Sequence, residues 1–283
     1  MKCAVMLAFF PVLSLAAVAQ QPSPMVPEVV EFQSGKLHLK GFLWKPSGAG
    51  PFPAVLFNHG SGGEHANETA GMQIGEAAGI LAPFFVKHGY AFFYPFRRGH
   101  GPSADQAPFM QDVLDQEEAR GKEARQHLQF VLLTTEQIDD TMAALEFLKR
   151  VPGVDAKRIA LAGHSFGGQL TLLAAERDAS VRAIVTFAAA ANSWERSPEL
   201  RELLLHAVHT MKAEIMLIHA ENDFGTAVGN NLAAELERLH KGHVLKIYPA
   251  VGLTREDGHS MLYLNIPAWE HDVFGFLDQN LKR

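Results

Sequence analysis

The segment that most restricts the fold is RIALAGHSFGGQLTLLAAE, from Arg158 to Glu176, in which glycines surround a single serine. An apolar, strand-like stretch precedes Ser165 and an apolar, helix-like stretch follows it, so the chain has to turn from strand to helix within a few residues. A serine at the apex of such a turn has a strained backbone, and glycines at 163 and 167 remove the Cβ atoms that would collide with the strand and the helix. The pattern therefore predicts an exposed hydroxyl beside a helix N-terminus, where backbone N–H groups point at developing negative charge.

Strand-like and helix-like segments alternate along the chain on both sides of this turn. Residues 30–46 alternate apolar and polar side chains about Ser34 and Gly35, as an antiparallel hairpin does. The later strand-like runs are almost wholly apolar, which is typical of strands covered on both faces, and they read PAVLFNHG, YAFFYPF, RIALAGH, VRAIVTFA, EIMLIHA and HVLKIYPA. Amphipathic helical patterns separate these runs. The order predicts an α/β fold with an eight-stranded, mostly parallel sheet and helices on both faces.

Residues 102–133 do not fit this alternation. The segment is long and charged, and its second half has a helical pattern. It follows the run YAFFYPF, at the edge of the sheet where ligands bind. Because long excursions in compact domains are usually functional or disordered, we expect a small cap over a pocket, and the alternative is a solvated pair of surface helices. The next helix is expected within residues 134–153, TTEQIDDTMAALEFLKRVPG, with a threonine start and a Pro-Gly stop.

Residues 1–19 have the pattern of a secretory signal peptide, with an early lysine, an apolar core and a small-x-small cleavage signal that ends at Ala19. The apolar run is shorter than the ~20 residues that a membrane span needs and is interrupted by Pro11, which disfavours an anchor. We therefore expect a secreted or periplasmic protein, with residues 20–283 as a single domain and no membrane span after cleavage. Cleavage would remove Cys3, the only cysteine, so no disulfide, thiolate nucleophile or cysteine-bound zinc is expected in the mature chain.

Charge and composition narrow the classes of function. The net charge is −6 and no run of basic residues occurs, so binding to nucleic acid or to a membrane surface is not expected. Hydrophobic residues make up 47% of the chain and charged residues 20%, which are ordinary values for a soluble globular protein.

Ser165 needs partners, because a serine hydroxyl is a weak nucleophile at neutral pH without a base and an acid that orients the base. Asp223 ends the run EIMLIHAEND, and His259 lies in VGLTREDGHSM, after the last strand-like run. Both follow the carboxyl ends of strands, at the same edge of the sheet as Ser165, so the three side chains can converge. Of the 14 histidines, His259 is the one that falls in the loop this chemistry requires. Glu221 is an alternative acid, and Asp257 is an alternative neighbour for His259.

Two backbone N–H groups are candidates for stabilising an oxyanion. One belongs to Phe166, at the start of the helix after the serine, and the other is expected in the glycine-rich loop FNHGSGGEH, where Ser61 is the favoured donor. The alternative for this loop is a flexible turn. The run FRRGHGPS could hold Arg97 or Arg98 near the pocket for an acidic substrate, although a structural turn is the favoured interpretation.

Five motifs, in this order, resemble those of the α/β-hydrolase superfamily: LFNHGSGG, YPFRRGHGPS, RIALAGHSFGG, LIHAENDFGTA and EDGHSM. The branches that the chain resembles most are the dienelactone hydrolase family and the prolyl-oligopeptidase-like serine hydrolases, and the resemblance extends from about Phe42 to the C-terminus. It implies the α/β-hydrolase fold, with Ser165 as nucleophile, Asp223 as acid and His259 as base. It also implies that the N–H groups of the two oxyanion candidates act as donors. Dienelactone hydrolases proper have cysteine at the nucleophile position, and the serine found here favours a general carboxylic-ester hydrolase.

The expected function is that of a serine hydrolase that cleaves a carboxylic ester or lactone of a small molecule through an acyl-enzyme, without a cofactor or metal. One alternative is a peptidase of the prolyl-oligopeptidase type acting on short peptides. The other is a non-catalytic, exported binding protein that retains the hydrolase fold.

Overall fold

The computed structural model describes residues 25–63, 65–69 and 71–282, so the expected signal peptide at residues 1–19 lies outside the described residues. Within them the chain forms ten strands, which are β1 (Glu28–Ser34), β2 (Leu37–Trp44), β3 (Phe52–Asn58), β4 (Glu68–Thr69), β5 (Met72–Gln73), β6 (Ala91–Pro95), β7 (Val154–His164), β8 (Ala183–Phe187), β9 (Glu214–Ala220) and β10 (His243–Tyr248).

Eight of these strands form one sheet in the order β1-β2-β6-β3-β7-β8-β9-β10, and the short β4 and β5 pair separately. β2 is antiparallel to both of its neighbours, β1 and β6. Every other neighbouring pair in the sheet is parallel. The predicted eight-stranded, mostly parallel sheet is therefore confirmed, with the hairpin at one edge and β10 at the other.

The helices fill the connections that parallel pairing requires. They are α1 (Ile74–Lys87), α2 (Met110–Glu118), α3 (Lys122–Leu132), α4 (Ile138–Lys149), α5 (Phe166–Arg177), α6 (Pro198–Thr210), α7 (Ala227–Arg238), α8 (Arg255–His259), α9 (Met261–Leu264) and α10 (Ile266–Leu281). A 3₁₀-helix at Gly101–Gln106 precedes α2, and a π-helical turn at Leu133–Gln137 precedes α4. None of the described helices combines the length and the apolar character that crossing a membrane would take.

The inner strands are buried on both faces, as their unbroken apolar runs predict. On β3, Ala54 and Leu56 join an apolar cluster formed with α4, α5, α6 and α7, whereas Val55 and Phe57 join a second cluster formed with α1 and α10. All four side chains are fully buried. β10 is the exception, because it is an edge strand and its side chains are only half-buried.

The helix predicted to begin at a threonine instead continues from the preceding helix. α3, the π-helical turn and α4 follow one another directly, so the threonines at 134 and 135 lie inside helical structure. The Thr135 hydroxyl donates to the carbonyl oxygen of Val131, four residues earlier, at 2.7 Å. A threonine that bonds back in this way satisfies its own hydroxyl within the helix and does not cap a helix start. The predicted stop is confirmed, since α4 ends before Pro152.

Residues 102–133 are helical over most of their length, not only in their second half. α2 buries Met110 and Leu114, whereas α3 has no fully buried residue. Beneath α3 lies a cavity of about 370 Å³, whose wall includes Gln169 of α5 and Ser193. The incomplete burial of α3 therefore coincides with open space between this helix and the body of the protein.

Candidate active site

Ser165 occupies a strained turn between β7 and α5. Its backbone angles are φ 55° and ψ −117°, in a region that residues with a Cβ rarely adopt. A Cβ on Gly163 would lie 2.3 Å from the carbonyl oxygen of Gly167, and a Cβ on Gly167 would lie 2.0 Å from that of Asn58. Both positions therefore exclude any side chain, and the turn presents the serine at the carboxyl edge of the sheet.

Three side chains from three connections meet at this edge. The Ser165 Oγ lies 2.9 Å from Nε2 of His259. Nδ1 of the same imidazole lies 2.7 Å from Oδ1 of Asp223. Because a carboxylate only accepts hydrogen bonds, Nδ1 carries the proton, and Nε2 is left as the acceptor for the serine hydroxyl.

The carboxylate that contacts the imidazole is buried and accepts several hydrogen bonds. Asp223 lies in the turn after β9, and its Oδ1 also accepts from the N–H of Phe224 at 2.7 Å. Its Oδ2 lies 2.9 Å from Nδ1 of His219, which is in β9. Burial alone would raise the pKa of Asp223, but hydrogen bonds from His219 and His259 outweigh it and lower the pKa well below its ordinary value. The carboxylate is therefore ionised at neutral pH.

The alternative carboxylates have other positions. Glu221 is exposed on the same turn and has no contact with the imidazole. Oδ2 of Asp257 accepts from the backbone N–H groups of Leu253 and Thr254, at 2.9 and 3.0 Å, and so caps the start of α8. The geometry thus distinguishes Asp223 from its two competitors.

His259 ends the short helix α8 and does not lie on an open loop. Asn222 fixes the segment that leads into this helix. Its side-chain amide donates to the carbonyl oxygens of Val251 and Thr254, at 2.8 and 2.6 Å, and accepts from the N–H of Val251 at 2.9 Å. Nε2 of His164 lies 2.8 Å from the carbonyl oxygen of His259. The roles of Asn222, His164 and His219 were not evident from the sequence, because an asparagine or histidine near a motif carries no signal of its partner.

The glycine-rich loop after β3 lies against the serine. A Cβ on Gly60 would be 3.7 Å from the Cβ of Ser165, and Ser61 and Ser165 line the same cleft. Among the described residues, the N–H groups of Ser61 and Phe166 donate to no protein acceptor. Neither group is therefore committed to an acceptor elsewhere in this part of the protein.

A buried arginine supports this loop from behind. Arg97 is 2% exposed, and it donates to the carbonyl oxygens of His59 and Gly60 at 2.9 and 2.7 Å and to the Gln137 side chain at 2.9 Å. Arg98 is engaged elsewhere, in a two-pronged contact with Asp140 at 2.7 and 2.9 Å. The structural interpretation of the run FRRGHGPS thus agrees with the contacts, and neither arginine faces the cleft.

The cleft at Ser165 has a volume of about 530 Å³. Its walls are the glycine-rich loop, α8, and side chains from the turns after β8 and β9. Over the described part of the chain, no three histidine, cysteine, aspartate or glutamate side chains are grouped as a metal site.

Residues 39–255 match the sequence profile of the dienelactone hydrolase family. The chain is also similar to the quorum-quenching protein AidA of Acinetobacter baumannii, with 24% identity over 163 residues, which is 58% of this chain and 44% of that protein.

Solved structures share the fold at low sequence identity. The acylaminoacyl peptidase of Pyrococcus horikoshii has a TM-score of 0.62 and 20% identity, over 91% of this chain and 42% of the peptidase. A dienelactone hydrolase of Anabaena variabilis has a TM-score of 0.56 and 19% identity, over 90% of this chain and 96% of that one. The chain thus spans less than half the length of the quorum-quenching protein and of the peptidase, and nearly the whole length of the dienelactone hydrolase.

Proposed function

Because the chain belongs to the dienelactone hydrolase family, we propose that it is a serine hydrolase that cleaves a carboxylic ester or lactone of a small molecule. One observation carries this proposal: Ser165 Oγ, the His259 imidazole and the Asp223 carboxylate form a continuous hydrogen-bonded chain at the edge of a cleft. In this hydrogen-bonded arrangement, the unprotonated Nε2 of His259 faces the hydroxyl of Ser165, which is what removal of the hydroxyl proton requires.

In the first half of the reaction, Oγ of Ser165 forms a bond to the carbonyl carbon of the ester, and Nε2 of His259 takes the hydroxyl proton. The carbonyl electrons move onto the oxygen, where the N–H groups of Ser61 and Phe166 stabilise the negative charge. When the carbonyl re-forms, the bond to the alcohol oxygen breaks and His259 delivers its proton to that oxygen. The alcohol leaves, and the acyl group remains on the serine.

In the second half, water replaces the alcohol. His259 takes a proton from the water as its oxygen bonds to the acyl carbon, and the negative charge again lies on the oxygen beside the two N–H groups. The bond to Oγ then breaks, Oγ recovers the proton from His259, and the carboxylic acid is released. Asp223 stays ionised throughout and stabilises the imidazolium that forms in each half.

The decisive experiment is hydrolysis by the Ser165→Ala variant. Wild-type protein should hydrolyse p-nitrophenyl esters, and we expect the variant to lose about a thousandfold or more in kcat with an unchanged far-UV circular dichroism spectrum. Ser47→Ala is the matched control, because this serine lies in an exposed turn before β3. Full activity of Ser165→Ala would overturn the proposal.

A panel of substrates would distinguish the ester hydrolase from a peptidase. It contains aryl esters of increasing acyl length, a lactone, and a short peptide p-nitroanilide. Hydrolysis of the peptide without hydrolysis of any ester or lactone would make the protein a peptidase. Labelling of the wild type, but not of Ser165→Ala, by a fluorophosphonate would exclude a non-catalytic binding protein.

We further propose export and a cap. The N-terminal pattern supports secretion with cleavage after residue 19, which N-terminal sequencing of the protein recovered from the periplasm or medium would test. The cavity of about 370 Å³ beneath α3 supports a cap role for residues 102–133. Phe130→Ala in α3, which lines this cavity, should change the relative rates on short and long acyl esters more than it changes the rate on the acetate.

A further inference from the structure

We propose that the cleft at Ser165 prefers esters that carry a positive charge beside an apolar group, over matched neutral esters and over esters that carry a carboxylate. This substrate class rests on the ester hydrolysis proposed above. It follows from the sign of the charged side chains that line the cleft.

Within the part of the chain that the structure describes, carboxylates carry the formal charge on the cleft wall. Glu256 and Asp257 of α8 line it together with neutral and apolar groups, and no lysine or arginine among the described residues does. A cleft lined by one sign of charge raises the local concentration of ligands of the opposite sign and repels ligands of the same sign.

Glu256 lies about one helical turn before the catalytic base of the proposed reaction. It is three residues before His259, and the N–H of Ser260 donates to its carbonyl oxygen at 2.9 Å, which completes a helical turn. Side chains three residues apart on a helix share a face, with Cβ atoms about 5–6 Å apart. The Glu256 carboxylate is exposed and has no ion-pair or hydrogen-bond partner among the described residues, so it is a free negative charge about one helical turn from the imidazole.

Asp257 adds a second, fixed charge. The backbone N–H groups of Leu253 and Thr254 lower the pKa of this carboxyl, so it is ionised at neutral pH. Since the same bonds hold the start of α8, Asp257 is unsuitable for mutation, and the test relies on Glu256.

Arg255, which precedes these two carboxylates in the sequence, is already engaged. Arg255 donates to the carbonyl oxygen of Phe224, and its guanidinium lies over the Phe224 ring, 5.3 Å from the centroid. Phe224 and Leu264 line the cleft and give it an apolar surface next to the carboxylates. The ligand group that matches this wall is therefore apolar and ends in an ammonium.

The test uses p-nitrophenyl esters whose acyl chains end in a cationic, a neutral or an anionic group. The cationic ester is 4-(trimethylammonio)butyrate, the neutral isostere is 5,5-dimethylhexanoate, and the anionic ester is the monoester of glutarate. A second pair, choline butyrate and 3,3-dimethylbutyl butyrate, places the charge on the alcohol side. In at least one of the two series, kcat/KM for the cationic ester should exceed that for its neutral isostere by about three- to tenfold at low ionic strength, and the preference should shrink at about 0.5 M salt. The glutarate ester should be the slowest of the first series.

The variants assign the preference to one carboxylate. Glu256→Gln should reduce the cationic-to-neutral ratio towards one, and Glu256→Lys should invert it. Glu237→Gln, an exposed glutamate of α7 outside the cleft, changes the net charge equally and should keep the wild-type ratio. If the wild type hydrolyses neutral esters but the ratio is one or lower in both series, or if Glu256→Gln keeps the ratio, the charge preference is wrong and the hydrolase function stands. If no ester is hydrolysed, both proposals are wrong.

Discussion

His219 and Asp223 are joined by a hydrogen bond of 2.9 Å between Nδ1 and Oδ2, on the side of the carboxylate opposite His259. His219 is 1% exposed, and a Cβ on Gly229 would lie 2.9 Å from its Cδ2, so α7 leaves space for the ring by having glycine there. Among the described residues, Nε2 of His219 has no partner. The one polar contact of this buried ring is therefore with the carboxylate, which two imidazoles hold between them.

Replacing His219 by leucine should impair catalysis more than folding. A hydrogen bond to a charged group contributes about 1.5–3 kcal/mol, so its loss should lower kcat about 10- to 150-fold if the whole effect falls on the transition state. The carboxylate would also attract the His259 proton more strongly, and the acid limb of the kcat/KM profile should move to higher pH. Steady-state kinetics on an aryl ester between pH 5 and pH 9 measure both effects.

His219→Asn is the matched control for this prediction, because its side-chain amide can place a donor near the position of Nδ1. It should recover part of the rate that His219→Leu loses and restore the acid limb. A leucine variant with wild-type kcat and an unshifted profile would show that the contact with Asp223 is only structural.

Gly167→Ala should disrupt the turn at Ser165. The added Cβ would lie 2.0 Å from the carbonyl oxygen of Asn58, which is backbone and cannot move aside cheaply. We expect a loss of about 3 kcal/mol or more in the free energy of unfolding, measured by urea denaturation, together with loss of ester hydrolysis. Gly79→Ala in α1 is the control, since nothing lies within 4 Å of its added Cβ, and it should stabilise by about 0.5–1 kcal/mol. Equal stability of the two variants would contradict the steric argument.

Arg97→Lys should lower kcat with little change in KM. The planar guanidinium of Arg97 donates to the carbonyl oxygens of both His59 and Gly60, and an ammonium cannot reproduce this fork. The loop that bears the Ser61 N–H would then shift, and removal of one oxyanion donor typically costs about 10²–10³ in kcat, so a displaced donor should cost about tenfold or more. Arg201→Lys is the control, because Arg201 of α6 also donates to two backbone carbonyl oxygens, those of Trp194 and Glu195, away from the oxyanion loop. A larger effect on KM than on kcat would count against this role.

Mild acid should destabilise the fold through buried histidines. Burial, and next the neighbouring His259, lower the pKa of His164 to about 3. Burial also lowers the pKa of His59 well below its ordinary value. Below pH 6.5 the unfolded chain binds protons that the folded protein does not, so stability falls as the pH falls. His164 alone should cost about 2 kcal/mol between pH 7.5 and pH 5, and His59 adds to the loss.

Urea unfolding at these two pH values measures this loss. Asp223 does not contribute to it, because its lowered pKa produces a loss only below the ordinary carboxyl range. His164→Gln should remove about 2 kcal/mol of the pH-dependent part. Equal stability of the wild type at pH 7.5 and pH 5 would contradict the prediction.

Several features of the fold and of the candidate site could not be predicted from the sequence, because each depends on contacts that form only when the chain folds. The threonine pair at 134 and 135 looked like a helix start, yet packing continues α3 into α4 through a π-helical turn. The histidine of β9 looked like one more strand residue, because its neighbour Asp223 is recognisable only when the turn after β9 is built. Asn222 likewise shows its role only when the chain near Thr254 folds back onto it.

The sequence by itself determined the fold class, the strands and the strained turn at Ser165. These depend on the periodicity of apolar side chains and on steric clashes between residues a few positions apart. Only the tertiary structure decided that Asp223 and not Glu221 meets His259, that Arg97 supports the loop at Gly60, and that carboxylates line the cleft. Electrostatic and hydrogen-bond energies depend on distances in space, and such a distance between residues 94 positions apart, as for Ser165 and His259, exists only after the whole sheet has formed.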